Sequence, residues 1–453
     1  MGRSLELRFE RYADVMVETL EHADRATPAR WYLQGLMLPG QRKSVEPMAA
    51  RVHPQDVRSA HQSMHHLVAD SAWSDTALLA AVAREVVPVL SDAGQAPCFW
   101  IIDDTGVRKY GTHSVGVARQ YCGQLGKTDN CQVAVSLSLA TVEGSVPLDY
   151  RLYLPREWAD DQERRQRAGV PEEITFATKG ELAWAQIEAA LDASIPRGPV
   201  LMDAGYGDEA ALRDRLTAHG LSYAAGIRSA TAVWWNEHQP ASTPVKQGRG
   251  RPRTRVRRDD THQPLGVRAL AQALPATRYR PVTWRDGTNA ALCSRFARVR
   301  VRAAHADQPR AEEWLLIEWP SGEAEPTHYF LSTLPATLSF KALVATVKMR
   351  WRIERDYLEL KQEVGLGHYE GRSWRGFHHH ASLCIAAYGF LMLERLAGRK
   401  KHFARLKTPP LPAGFRPRGA GPDAATHPVV DRHRAVSAGA RHRPTSSTMS
   451  VLR

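Results

Sequence analysis

The chain has 453 residues, 43% of them hydrophobic. That is about three times the ~150 residues of a typical single domain, and too apolar for a chain disordered throughout. The longest uncharged apolar run, Ala381 to Leu393, is 13 residues, short of the ~20 that a bilayer-spanning helix needs. The N-terminus, MGRSLELRFERY, lacks the apolar segment of a signal peptide. Five cysteines without a C-x-x-C argue against a disulfide scaffold or a zinc ribbon, so a reducing, cytoplasmic compartment is expected. The net charge is +13, with 50 Arg and 11 Lys, a field that attracts polyanions. The codon bias of a GC-rich genome would give the same arginine excess, so charge alone only raises the case for nucleic acid.

Residues 1–95 read as helical. Leu33, Leu36 and Met37 suggest one apolar face, and Leu78, Leu79, Val82, Val86 and Val87 another, with Ser74 or Asp75 as a cap. From Cys98 the pattern changes. Cys98-Phe99-Trp100-Ile101-Ile102 is a continuous apolar run of the kind found in doubly buried strands, and it is expected to end at Asp103-Asp104-Thr105. Val133, Val135, Leu137 and Leu139 predict a second strand, and Leu148, Tyr150, Leu152 and Leu154 a third. A helix with Leu182, Ile187 and Leu191 leads to a short strand, Pro199 to Met202, that ends in Asp203. A helix with Leu212 and Leu216 precedes a last strand, Leu221 to Ile227. The order is β-β-β-α-β-α-β, an α/β arrangement with flanking helices.

Residues 229–340 break this regularity with strand-like runs near Ala297 to Val301, Trp314 to Trp319 and His328 to Ser332, a β-rich insertion. Within it, Lys246 to Arg258 holds seven cations and no acid. Helix returns from about Phe340 to Val364 and from His378 to Leu396. Residues 401–453 are rich in Pro, Gly, Ala, Arg and Ser, the composition of a disordered basic tail.

Three acidic positions suit chemistry. Asp103 or Asp104, and Asp203, close apolar strands, and Glu354 lies in a predicted helix. Strand-end carboxylates project into a crevice in open α/β sheets, and two Asp with one Glu form a hard oxygen set suited to Mg²⁺ or Mn²⁺. Arg350, Glu354 and Lys361, spaced i, i+4 and i+11, fall on one face of a continuous helix. A plain surface ion-pair ladder would show the same spacing.

These residues resemble the insertion-sequence transposases of the DDE superfamily, in the branch with a β-rich insertion before the catalytic glutamate. The helix signature Tyr-x-x-Arg-x-x-x-Glu-x-x-x-x-x-x-Lys is matched at Arg350, Glu354 and Lys361, with Val347 at the tyrosine position. Asp103-Asp104-Thr105 matches the first-aspartate motif and selects Asp103, although strand-end logic also allows Asp104. Asp203-Ala204-Gly205-Tyr206 matches the second, and His113 to Gly123 looks like the group's text after the first aspartate. The resemblance, over residues 30–400, implies an RNase H-like mixed sheet. Its catalytic parts would be residues 96–228 and 341–400, with 1–95 a helical DNA-binding region. It also implies two Mg²⁺ or Mn²⁺ ions per active site, held by Asp103, Asp203 and Glu354, with Arg350 and Lys361 on phosphates. The partners implied are double-stranded DNA (terminal inverted repeats and target) and a second copy of the chain, in the bacterial cytoplasm at the nucleoid, with no membrane. A DNA-binding derivative that no longer cuts, or a decayed copy, is the alternative.

Smaller signals complete the reading. Arg249, Arg251 and Arg253, in Gly248 to Arg253, form either an AT-hook core or a general phosphate-contacting loop. Trp234, Trp235, Trp284, Trp314 and Trp319 either fill the core of the insertion or include one that stacks on a base. His378-His379-His380 have no Cys or carboxylate at ligand spacing and fit helix packing or a phosphate contact. Cys122 and Cys131 are expected to be buried thiols.

Overall fold

The computed structural model describes residues 2–92, 94–123, 125–236, 263–286, 291–305 and 310–407. Residues up to His402 form one compact unit. Five helices come first: α1 (Gly2–Glu18), α2 (Ala26–Met37), α3 (Val45–Val52), α4 (Val57–Ala69) and α5 (Asp75–Leu90). Ser74 caps α5, its Oγ accepting from Ala77 N at 3.1 Å. The predicted stripes Leu33/Leu36 and Leu78/Leu79/Val82/Val86/Val87 are buried in the core.

The sheet begins with β1 (Phe99–Arg108), β2 (Ala118–Cys122), β3 (Lys127–Ala140) and β4 (Ser145–Leu152). Helices α6 (Arg156–Ala159), α7 (Gln162–Ala168) and α8 (Lys179–Asp192) lead to β5 (Val200–Met202). After α9 (Ala204–Gly207) and α10 (Ala210–Ala218) comes β6 (Tyr223–Ile227). Strand β2, a short hairpin arm paired with the start of β3, is an addition to the predicted order. β1 pairs antiparallel with β3 and parallel with β5, β5 pairs parallel with β6, and β4 flanks β3. The spatial order of these strands is therefore β4-β3-β1-β5-β6.

The insertion contributes β7 (Ala232–Trp234), β8 (Leu265–Gly266), α11 (Val267–Ala273), β9 (Arg280–Asp286), β10 (Ala291–Ala303), β11 (Glu312–Trp319) and β12 (His328–Ser332). It does not build a sheet of its own. β12 pairs antiparallel with β6, and β11 and β10 continue outward, so that twelve strands form one sheet among the described residues.

The single helix expected over Phe340–Val364 is three pieces: α12 (Phe340–Lys348), α13 (Trp351–Glu359) and a π-helical turn, Leu360–Val364. The last helix, α14 (Trp374–Lys407), is longer than predicted and runs into the segment read as tail. It is apolar and long enough to cross a bilayer, but 67% of its most apolar window is buried inside the fold, the behaviour of a core helix.

Alternation along β1 sorts the core into two layers. Trp100 and Ile102 face a cluster built with the N-terminal helices, α8, α10 and α14. Ile101 faces the other side, with Phe296 and Trp314 of the insertion, Leu343, Val344 and Val347 of α12, and Ile353 and Tyr357 of α13. Of the five predicted tryptophans, Trp314 belongs to the second cluster, Trp235, Trp284 and Trp319 pack half-buried against the two clusters, and Trp234 is buried, which favours the core reading.

His378, His379 and His380 are buried at the start of α14 and bind backbone and hydroxyl groups. His378 receives Leu152 N, His379 lies between the carbonyls of Val68 and Trp73, and His380 meets Tyr32 Oη at 2.8 Å and Gly365 O. Burial holds each imidazole down to about 4, below the ordinary ~6.5. The unfolded chain therefore takes up protons that the folded chain refuses as pH falls below ~6.5. Stability is complete above that value and drains away toward pH ~4, by up to roughly 3 kcal/mol for one such histidine. Urea unfolding at neutral pH and near pH ~5 should show this loss, and His379→Gln should shrink it. A stability independent of pH over this window would count against the buried, neutral assignment.

Candidate active site

Asp103 does not end its strand. β1 runs five residues further because β3, 14 residues long, supplies antiparallel partners as far as Arg108. What stops is the parallel neighbour: the β1–β5 ladder closes at Ile102 opposite Met202. Asp103 and Asp203 each follow that last pair, so both carboxylates flank one notch between β1 and α9.

The turn after β5 shapes the second acid. Asp203 is the N-cap of α9, its Oδ1 accepting from Gly205 N at 2.9 Å and Tyr206 N at 3.3 Å. The glycines of this turn have little room for a side chain, Gly207 least. A Cβ on Gly205 would crowd Asp203 Oδ1 at 3.1 Å, and one on Gly207 would collide with Gly226 O.

Successive side chains of a strand point to opposite faces, and this separates the two candidate first acids. Asp103 lies on the side of α13, where Arg350 Nη1 donates to its Oδ2 at 2.8 Å. Asp104 lies on the other side, paired with Lys179 Nζ at 2.8 Å and accepting from Tyr206 Oη at 3.3 Å. Asp104 therefore ties β1 to α8 and to the Asp203 turn, a role the sequence reading did not foresee.

Arg350 stands at the N-cap of α13 and joins two of the predicted residues. Besides Asp103 it meets Glu354 Oε1 at 3.3 Å, one turn on. Glu354 keeps 66% of its side chain exposed, whereas Asp103 keeps 14%. Burial pushes the Asp103 carboxyl up to about 7, Arg350 opposes the shift, and the neighbouring Asp203 and Asp104 reinforce it. This is a buried carboxyl paired with one guanidinium and flanked by two other acids.

Lys361 is not held on a continuous helical face with these two. It sits in the π-helical turn and its Nζ donates to Gly106 O at 2.8 Å, fastening that turn to β1 three residues past Asp103. Val347, at the position where the family signature has tyrosine, is buried in the core. A different tyrosine, Tyr357, reaches the sheet and hydrogen-bonds at 2.8 Å to Oγ of Ser136, the cross-strand partner of Asp103. Trp351, also absent from the sequence reading, lies next to Arg350 with Arg285 stacked over its ring at 3.9 Å. Arg249, Arg251 and Arg253 lie outside the described residues.

Among the described residues no three His, Cys, Asp or Glu side chains are gathered closely enough to hold a metal ion; the Arg350 guanidinium bridges Asp103 and Glu354 instead. The donor chemistry nevertheless fits a hard divalent cation: all-oxygen ligands, two of them beside one notch.

A family model described as DDE superfamily endonuclease matches residues 15–291, more than half of the chain. The chain belongs to the DDE superfamily endonucleases. This DDE endonuclease is also 33% identical over 172 residues to the probable transposase for insertion sequence element IS701 of Microchaete diplosiphon, a stretch that is 37% of this chain. The match spans 41% of that relative's length. The family match includes Asp103 and Asp203 and ends before α12, so the pairing of this endonuclease's Glu354 with the site rests on the Arg350 bridge.

Proposed function

We propose that the chain is a transposase that cuts and rejoins the ends of an insertion sequence, with Asp103, Asp203 and Glu354 as its catalytic acids. The observation that carries this reading is the convergence on one notch: Asp103 and Asp203 after the last β1–β5 pair, and Glu354 linked to Asp103 through Arg350. The order β4-β3-β1-β5-β6, parallel from β1 onward, supports an RNase H-like catalytic domain made of residues 96–228 and 341–400, interrupted by 229–340. Residues 1–95 would contribute to reading the terminal repeats, and two copies would pair two element ends.

Asp103, Asp203 and Glu354 would hold Mg²⁺ or Mn²⁺, two ions per site, which when bound supply activation of the attacking oxygen and stabilisation of the leaving oxygen. Arg350 neutralises the acids and offers a cation to the DNA phosphate beside them. Lys361 and the Asp104–Lys179 pair keep β1 in place, so that the acids need not reorganise as charge develops. No side-chain nucleophile is required.

The test is incubation of the purified chain with supercoiled plasmid carrying the element's ends, with Mg²⁺ and with EDTA. Mg²⁺-dependent nicking at the ends is the expected result. Binding without nicking would overturn the catalytic reading in favour of a DNA-binding derivative.

A further inference from the structure

We propose that the hairpin arm formed by β2 and the start of β3 is a duplex-DNA contact beside the active site, a role that rests on the transposase reading above. From Thr105 to Asp129 the chain carries Arg108, Lys109, Arg119 and Lys127 against one carboxylate, Asp129. Asp129 pairs with Arg108 at 3.4 Å, and Lys109 is bonded to Tyr369 O, so Arg119 and Lys127 are the cations offered to DNA. Two tyrosines of this segment are left in solvent: Tyr110 is 90% exposed and Tyr121 62%. Arg119 and Tyr121 alternate on the outer face of β2, Lys127 is exposed where β3 begins, and Arg108 lies 5.0 Å from the Tyr110 ring centroid. Cations interleaved with exposed tyrosines suit the sugar-phosphate backbone of a duplex, where a tyrosine hydroxyl can donate to a phosphate oxygen.

The arm is rooted, so it would not have to be ordered on binding. Its inner face buries Cys122, Cys131 and Val133 in a small cluster. Gln120 Nε2 donates to Cys131 O at 2.9 Å, and Trp158 Nε1 and Arg372 O hold the preceding loop at Val117 and Val115. The inner face also packs against β1 at Gly106, where a Cβ would lie only 2.7 Å from Cys122 Sγ. Gly106 is three residues beyond Asp103 in the same strand, ~10 Å by strand rise. DNA seated at the acids would therefore pass within a helical turn of the arm.

The experiment is fluorescence anisotropy of the full chain with a labelled duplex of arbitrary sequence, titrated over a range of KCl concentrations. The double variant Arg119→Gln/Lys127→Gln should lower the slope of log affinity against log salt by about 1.8, since each lost phosphate contact removes ~0.9. Tyr121→Ala should weaken binding about tenfold, the worth of a hydrogen bond to a charged phosphate, with an unchanged slope. Parental affinity and slope in both variants would overturn the proposal. If the parent nicks plasmid with Mg²⁺ yet both variants bind as it does, only the arm's role fails. If the parent neither binds nor nicks, the transposase reading itself fails.

Discussion

Asp103→Asn should reduce Mg²⁺-dependent plasmid nicking by at least about a thousandfold, whereas Asp104→Asn should leave it within about tenfold of the parent. The two residues are neighbours in sequence and opposites in placement. Asp103 faces the notch with Asp203 and, through Arg350, Glu354, while Asp104 faces Lys179 and Tyr206 on the far side of the strand. Losing the first removes a carboxylate from the proposed reacting centre. Losing the second removes a support, and asparagine still offers Tyr206 an acceptor. Asp103→Asn removes a carboxylate that burial disfavours but also takes from Arg350 its closest partner, so melting curves must show the variant folded before its nicking is read. Nicking rates and melting curves of the two variants decide the matter. Activity that survives Asp103→Asn and disappears with Asp104→Asn would place the chemistry on the wrong face.

Asp356→Ala should destabilise the protein by roughly 2–5 kcal/mol, although Asp356 is only two residues from Glu354. From helical periodicity alone, Asp356 and Glu363 point away from Glu354, and both would be expected to tolerate alanine. The structure corrects this for Asp356. It is buried between sheet and α14, accepting from Ser145 Oγ at 2.7 Å and Tyr388 Oη at 3.0 Å. Alanine would strand two buried hydroxyl donors and leave a void, and a lost partner in the interior costs ~1–3 kcal/mol for each group left unpaired. Asp356→Asn, which keeps an acceptor oxygen, should cost less. Glu363→Ala should change stability by less than ~0.5 kcal/mol, since Glu363 is exposed. Denaturant unfolding of the three variants gives the ranking. Equal stability for Asp356→Ala and Glu363→Ala would mean that Asp356 is not buried in solution.

What the sequence made legible was local. The run Cys98 to Ile102, the alternation through Leu139, the capped helix after Ser74 and the Asp203-Ala204-Gly205-Tyr206 turn each carry their own signal, and each appears where predicted. What it hid was decided by distant partners. β1 outruns Asp103 because β3 supplies a ladder for it, and Asp104 is taken from solvent by Lys179, 75 residues away. The break between α12 and α13 has no proline or glycine to announce it; it places Arg350 at a helix start, within reach of Asp103. The tryptophans of the insertion were ambiguous because an exposed and a buried indole look alike in a sequence. Glu354 was found from its spacing to Arg350 and Lys361, but only half of that argument matches the geometry: Arg350 bonds Glu354 directly, while Lys361 reaches β1 from a different kind of turn.

The way the insertion joins the sheet has a bearing on synthesis at the ribosome. β6 finds its outer neighbour only in β12, about a hundred residues later in the chain. At ~5–20 residues per second, that interval lasts roughly 5–20 s. Throughout it the nascent chain presents an unpaired row of amides and carbonyls on a strand of Tyr223, Ala224, Ala225, Gly226 and Ile227, which carries no charge to discourage a second nascent chain from pairing there. A copy of the gene that lost the insertion would leave that edge of β6 without its β12 partner, a template for pairing with its own kind.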